Sequence, residues 1–356
     1  MILSNNARKN ADSCRFCWMC RHICPIGNAT GHERNTARAR ALSLSMVERG
    51  SVPFSADVIA NIYECALCGA CTKECVTGWD PLTFTREARL AAALDAKLPS
   101  YIEPILQNIL TYGSPYGEKK NALKEAALAH KEGKTLFYLG NDAREVCPDE
   151  ALKAVKLLEK SGVDFALLED EPESGAALDF LIGDASETKK AFEACAAALA
   201  PYEKVIVLEP RDAKLFRRDY VEKGVRLPEI ITLTSLLASL LKEGKLDVKK
   251  TEEKLALQDD FNLARELEET EDARAIIAAC GEECEMLLNR RDTVFAGSPL
   301  MALYMPDVIR EVAARRLHNA RTMGAETVVA EGASEFAAMK ALESDVKVKS
   351  IWGIIE

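Results

Sequence analysis

The run Cys14-Arg-Phe-Cys17-Trp-Met-Cys20-Arg-His-Ile-Cys24-Pro25, answered by Cys65-Ala-Leu-Cys68-Gly-Ala-Cys71-Thr-Lys-Glu-Cys75, decides how this chain is read. Each run is C-x2-C-x2-C-x3-C. Thiolates are soft ligands that suit iron-sulfur clusters, and this spacing lets one tight loop supply three of the four. The x3 gap carries the fourth Cys to the neighbouring cluster, as in bacterial two-cluster ferredoxins. On that rule Cys14, Cys17, Cys20 and Cys75 hold one 4Fe-4S cluster, and Cys65, Cys68, Cys71 and Cys24 hold the other. Pro25 keeps the ferredoxin signature, whereas Val76 departs from it after the second run.

Zinc and disulfides are the rival readings. Structural zinc pairs two C-x2-C knuckles and has no use for a third and fourth Cys repeated at these spacings. Twelve cysteines follow an N-terminus, Met-Ile-Leu-Ser-Asn-Asn, with no basic start and apolar core. Reduced, metal-ligating thiols and a cytoplasmic location are therefore expected. The apolar run from Ile230 to Leu241 falls short of the about 20 residues that span a bilayer, so no membrane span is predicted.

At 356 residues, 48% apolar and 29% charged, the chain is long enough for two or three folded domains. Its net charge of -10 is unevenly spread. Residues 1–100 carry 12 Lys and Arg against 9 Asp and Glu, the remainder 34 against 47. This split suits docking between oppositely charged surfaces, or merely two solvated faces, and it lacks the basic footprint of a nucleic-acid binder.

Around the cysteines, Phe16, Trp18, Met19 and Ile23 are expected to shield the first cluster, and Arg15, Arg21 and Lys73 to favour reduction. With a complete Cys set, His22 reads as a solvated side chain. Thr30-Gly-His-Glu33 predicts a capping box for a helix over Arg34 to Val47 that Gly50 and Pro53 end. Helices from about Ser55 and from about Phe84 to Ala96 complete a helical module over residues 1–98. A helical connector, 99–133, is expected to break at Pro104 and around Tyr112 to Gly117.

Beyond Thr135, short apolar runs alternate with helical stretches, the grammar of a parallel α/β sheet. Strands are predicted at Leu136–Leu139, Phe165–Leu168, Val205–Leu208 and Ile230–Leu233, with helices from Asp149, Ala185 and Asp212. Lys254–Gln258, Cys284–Leu288 and Thr327–Ala330 repeat the pattern at an offset near 120 residues, and Gly175 finds its counterpart in Gly297. The predicted fold is an N-terminal α-helical two-cluster ferredoxin module followed by a duplicated, Rossmann-like α/β region, with repeats at 134–245 and 246–356.

The double Cys run, the helix carrying Thr36-Ala-Arg38-Ala-Arg40 and the repeated α/β region resemble the iron-sulfur subunits of glycolate oxidase, lactate utilisation and anaerobic glycerol-3-phosphate dehydrogenase, related to heterodisulfide reductase. The resemblance implies that each later repeat carries a Cys-Cys-Gly motif and further cysteines for another cluster. Here those positions read Glu173-Ser174-Gly175 and Phe295-Ala296-Gly297, Glu209-Pro210-Arg211-Asp212 and Glu331-Gly332-Ala333-Ser334, with Gly140-Asn141 in place of Gly-Cys. The fold is expected to persist without a third cluster. Cys147, Cys195, Cys280 and Cys284 are expected to pack as small hydrophobes, the last two meeting only if both are helical. Gly133-Lys134-Thr135 lacks the rest of a phosphate loop, and His32, His130 and His318 have no partner that the sequence can place.

Two clusters without an evident substrate site predict an electron-transfer subunit with no catalytic residue of its own. The resemblance implies an FAD-containing dehydrogenase subunit of 2-hydroxy-acid or glycerol-phosphate type as partner, with a further electron-transfer subunit as acceptor. The alternatives are a catalytic disulfide or quinone reductase subunit and a non-redox iron-sulfur assembly protein.

Overall fold

A computed structural model describes residues 3–14 and 17–355. The roles expected of Arg15 and Phe16 lie outside the described residues.

The N-terminal part is helical, and its centre is a pair of five-residue helices, Met19–Ile23 and Ala70–Glu74, packed against one another. Their geometry is nearly identical. Each is preceded by a residue in the left-handed region, Trp18 at φ 70° and Gly69 at φ 72°, and each is followed by an extended cysteine, Cys24 or Cys75. Glycine adopts that conformation freely, whereas Trp18 holds it at a steric cost. Around this pair lie the helices Ala37–Glu48, Ala56–Tyr63 and Pro81–Leu94, whose Ala41, Leu44, Ile59, Ile62, Phe84 and Ala88 form a common apolar core.

The capping box expected at Thr30 does not form. Pro25 opens a helix, Pro25–Thr30, that ends at left-handed Gly31, so Thr30 closes a helix instead of starting one. Glu33–Asn35 is a 3-10 turn, and Thr36 caps Ala37–Glu48 by accepting from the Ala39 amide at 3.4 Å. Pro104 likewise lies in the first turn of Glu103–Tyr112, where a missing amide costs nothing, and does not break the connector.

Two parallel sheets follow. The first orders β1 (Thr135–Tyr138), β2 (Lys204–Val207) and β3 (Glu229–Thr232), and Ala166 bridges to Leu136 outside β1. The second contains β4 (Lys254–Gln258), β5 (Glu282–Glu283), β6 (Thr327–Ala330) and β7 (Lys347–Ser350), in the order β5-β4-β6-β7. Both sheets place their second segment outside the first strand and add the third and fourth on the other side. No strand forms over the expected Cys284–Leu288; the sheet edge is the two residues before it, β5, and the chain then leaves the edge, with Leu288 in the left-handed region.

One apolar core draws on both sheets, joining Phe137, Ile206, Leu255, Leu257, Val329 and Trp352. The helix Ala176–Ile182 belongs to the other core, where Leu178 and Leu181 pack against the N-terminal helices. Tyr63 reinforces that seam by donating from its hydroxyl to the Leu181 carbonyl at 2.8 Å.

Candidate metal centres

The eight cysteines of the two runs gather into two cavities. Cys14, Cys17, Cys20 and Cys75 line one, with Trp18, Met19, Arg38, Thr77 and Trp79. Cys17 is exposed, so this cavity lies at the molecular surface. The Arg38 guanidinium carbon stands 3.7 Å from the Trp18 ring centre, with Arg21 at 5.3 Å, and the cations hold that ring over the cavity mouth. Burial pushes the Cys20 thiol up. Burial acts upward on Cys75 too, but hydrogen bonds from Thr77 and the Trp79 amide outweigh it and lower that thiol.

Cys24, Cys65, Cys68 and Cys71 line the second cavity. Burial pushes Cys68 up to about 11, Cys71 well above its ordinary value, and Cys24 upward. Ferric and ferrous iron reverse that logic, since a coordinated thiol is deprotonated outright. The Leu67 amide donates to Cys65 Sγ and the Gly27 amide to Cys24 Sγ, both at 3.4 Å. Arg40, buried on the same wall, donates from Nε to the Asn61 carbonyl at 2.9 Å, yet its buried Nη2 has no partner. A buried guanidinium nitrogen without an acceptor fits a site made for an anion, and four thiolates about a cluster are anionic. Donor set and orphan atom agree.

Residues 10–79 match the family model of the 4Fe-4S dicluster domain. This chain carries a ferredoxin-type iron-sulfur domain. Among curated proteins nothing matches the chain. Among solved structures it is similar to Picrophilus torridus aspartate racemase, at 11% identity and a TM-score of 0.34, over 62% of this chain and 90% of that one.

The dicluster domain shares each of its two central helices between the cavities. Cys20 lies in Met19–Ile23 and Cys24 follows it, as Cys71 lies in Ala70–Glu74 and Cys75 follows it. Four residues of helix rise about 6 Å, so one turn separates the two cavities along each helix. Arg38 and Arg40 were not assigned a role from sequence, although a signal was present for Arg40. It stands three residues after Ala37 and four before Leu44, on the face that the helix buries. Lys73 is spent on Asp292, at 2.6 Å. His22 stands 3.8 Å from Glu74, and His130 pairs with Glu159 at 2.7 Å while stacking on Phe165.

The positions where the resemblance implies cysteines also converge. Ser174 Oγ donates to Asp212 Oδ1 at 2.6 Å. Glu173 accepts from the Gly175 and Ala177 amides at 2.6 and 3.0 Å. Glu209, beyond the end of β2, crosses to the other half and accepts from the Ala333 and Ser334 amides at 3.0 and 3.3 Å. Glu331, beyond the end of β6, accepts from the Asp260 amide at 2.9 Å. Burial drives all of these carboxyls upward, Glu209 and Glu331 strongly and Asp212 to about 7. Cys195 and Cys280 are buried in the apolar cores, and Cys147 and Cys284 are half-buried against them. Cys280 ends the helix Asp272–Cys280 whereas Cys284 follows β5, so the two do not share a helix.

These strand ends enclose a small chamber of about 70 Å³ that reaches Glu209, Arg211, Asp260, Phe295 and Ser334. Ala66 and Leu67, the two residues between Cys65 and Cys68, line both this chamber and the second thiol cavity. Among the described residues no helix is long and apolar enough to cross a membrane.

Proposed function

We propose that this chain is the electron-transfer iron-sulfur subunit of a multi-subunit oxidoreductase, with Cys14, Cys17, Cys20 and Cys75 holding one 4Fe-4S cluster and Cys24, Cys65, Cys68 and Cys71 a second. The observation that carries the reading is the sorting of eight thiols into two cavities one helical turn apart, one at the surface and one walled by Arg40. When bound, such clusters supply electron carriers whose potential is set by charge, hydrogen bonds to sulfur and exposure.

The chain's own residues set those conditions. Trp18 and Met19 cover the surface cavity, Arg38 brings a positive charge to it, and Thr77 donates toward Cys75. The exposed Cys17 side is where a redox partner can approach closely. In this reading the partner is an FAD-containing dehydrogenase, and a further subunit takes the electrons onward. The α/β region descends from a duplication, which the shared strand order supports, and it acts as the acidic docking scaffold.

Anaerobic purification with iron and flavin analysis tests this directly. About eight irons per chain, reversible reduction and a co-purifying flavoprotein are expected. Zinc in place of iron, or clusters that do not cycle reversibly, would overturn it. Iron near twelve would show a third cluster in the α/β region.

A further inference from the structure

The chamber behind Leu67 has equipment that electron relay does not use. It opens at the carboxyl ends of β2 and β4, the place where parallel sheets bind ligands. Ala66 and Leu67 line both it and the cavity of Cys65 and Cys68. Leu67, Arg86, Lys214 and Phe261 also line a cleft of about 550 Å³, so the chamber has a way in.

Its cations are under-used. Arg211 comes no closer to a carboxylate than 3.8 Å, to Asp142, and Arg86 stands 3.4 Å from Asp179. Neither guanidinium makes a hydrogen bond among the described residues, and the Nε of each is buried without a partner. Elsewhere in the fold Arg274 holds Asp259 and Glu285 by two nitrogens each, and Arg89, whose Nε also lacks a partner, still donates to three carbonyls. Apart from Asp179, which faces Arg86, the acids on the chamber wall are engaged elsewhere. Lys214 holds Asp219 at 2.5 Å, Glu209 and Glu335 accept from backbone amides, and Asp260 accepts from the Asn262 amide. Phe180, Phe295 and Leu300 supply an apolar remainder.

We propose that this chamber binds a small organic monocarboxylate, its carboxylate between Arg86 and Arg211 and its body against the phenylalanines, next to the Cys65–Cys68 loop. The planar guanidinium fork matches a carboxylate, and the surrounding acids penalise a multiply charged phosphate more than a single negative charge. The size of the chamber limits the ligand to a few heavy atoms. The placement beside a redox centre rests on the function proposed above; the binding itself does not.

The test uses the full chain with its iron, assayed for iron and by electron paramagnetic resonance on the same sample. Acetate, propionate and pyruvate are titrated calorimetrically, with inorganic phosphate as the contrast. At least one carboxylate is expected to bind at about 1 mM or tighter, and to alter the spectrum of the reduced protein. Arg211→Gln should weaken that binding about tenfold with iron content unchanged. Should that variant fail to fold, Ser334→Phe, which fills the chamber, replaces it. The proposal falls if no carboxylate binds below about 10 mM, if phosphate binds more tightly than all three, or if binding survives in the folded variants. Failure of the electron-transfer reading would show separately, as missing iron or irreversible reduction with binding intact.

Discussion

The cysteine-bearing helices and the α/β region behind them bury polar side chains in opposite ways. In the first, four thiols share each cavity and the buried Arg40 Nη2 has no acceptor. In the second, Glu171, Glu173, Glu209, Glu331 and Glu335 each accept from backbone amides, several at the starts of helices. One region is short of a partner that the chain does not supply. The other satisfies its buried carboxylates with its own main chain, because a carboxylate accepts amide protons. Carboxylates at strand ends therefore anchor the backbone that follows the strands.

The sharpest break of that comparison is Cys75→Ser. Although Cys75 closes the second run, it lines the cavity of Cys14, Cys17 and Cys20. The variant should lose about half its iron and the spectral signal of that cluster alone. Loss of the other signal would show that the thiols partition differently.

Glu209→Ala comes next in size. It strips the acceptor from the Ala333 and Ser334 amides and from the contact between the two halves. Urea unfolding should show a loss of about 3 kcal/mol, for one buried and one half-buried amide left unpaired. A loss below about 1 kcal/mol would mean that water or another group replaces the carboxylate at little cost.

Gly175→Ala tests the backbone that the carboxylates hold. Gly175 has φ +92°, and a Cβ there would stand 2.2 Å from Phe192 Cε1. Thermal and urea denaturation should register about 3 kcal/mol. Gly50→Ala, with φ +70° and open space around it, should cost about 1 kcal/mol, and equal losses would discount the contact with Phe192.

The smallest effect is a pH dependence. Burial raises the Asp212 carboxyl to about 7, above its unfolded value of 3.8. Below about pH 4 both states are protonated and no penalty arises. As pH rises toward 7 the unfolded state ionises first, so stability falls across that window. Asp212→Asn keeps an acceptor for Ser174 and removes the titration. It should gain about 2 kcal/mol relative to the parent at pH 8 and nothing at pH 4, measured by unfolding at both values. A gain independent of pH would remove Asp212 as the titrating group.

Much of this architecture was legible in the residues. Ser55 caps its helix with a side-chain oxygen, and Val205–Val207 and Thr327–Ala330 read as strands because parallel sheets bury both faces. Thr30 misled, because a capping pattern is local and the helix begun by Pro25 had already consumed it. Cys284–Leu288 misled as well, being apolar enough for a strand although the sheet edge takes only the preceding Glu282–Glu283.

By itself, the sequence determined the cysteine spacing, hence the class of metal chemistry, and the alternation that makes parallel sheets. Those are local properties, set by ligand geometry and by the period of side-chain direction. Only the tertiary structure decided that Arg40 faces the second thiol set, that Glu209 caps a helix of the other half, and that Arg86 and Arg211 share a chamber behind Leu67. These contacts join residues far apart in the chain, 125 positions for Glu209 with Ser334, and no local pattern encodes which distant partners burial will bring together.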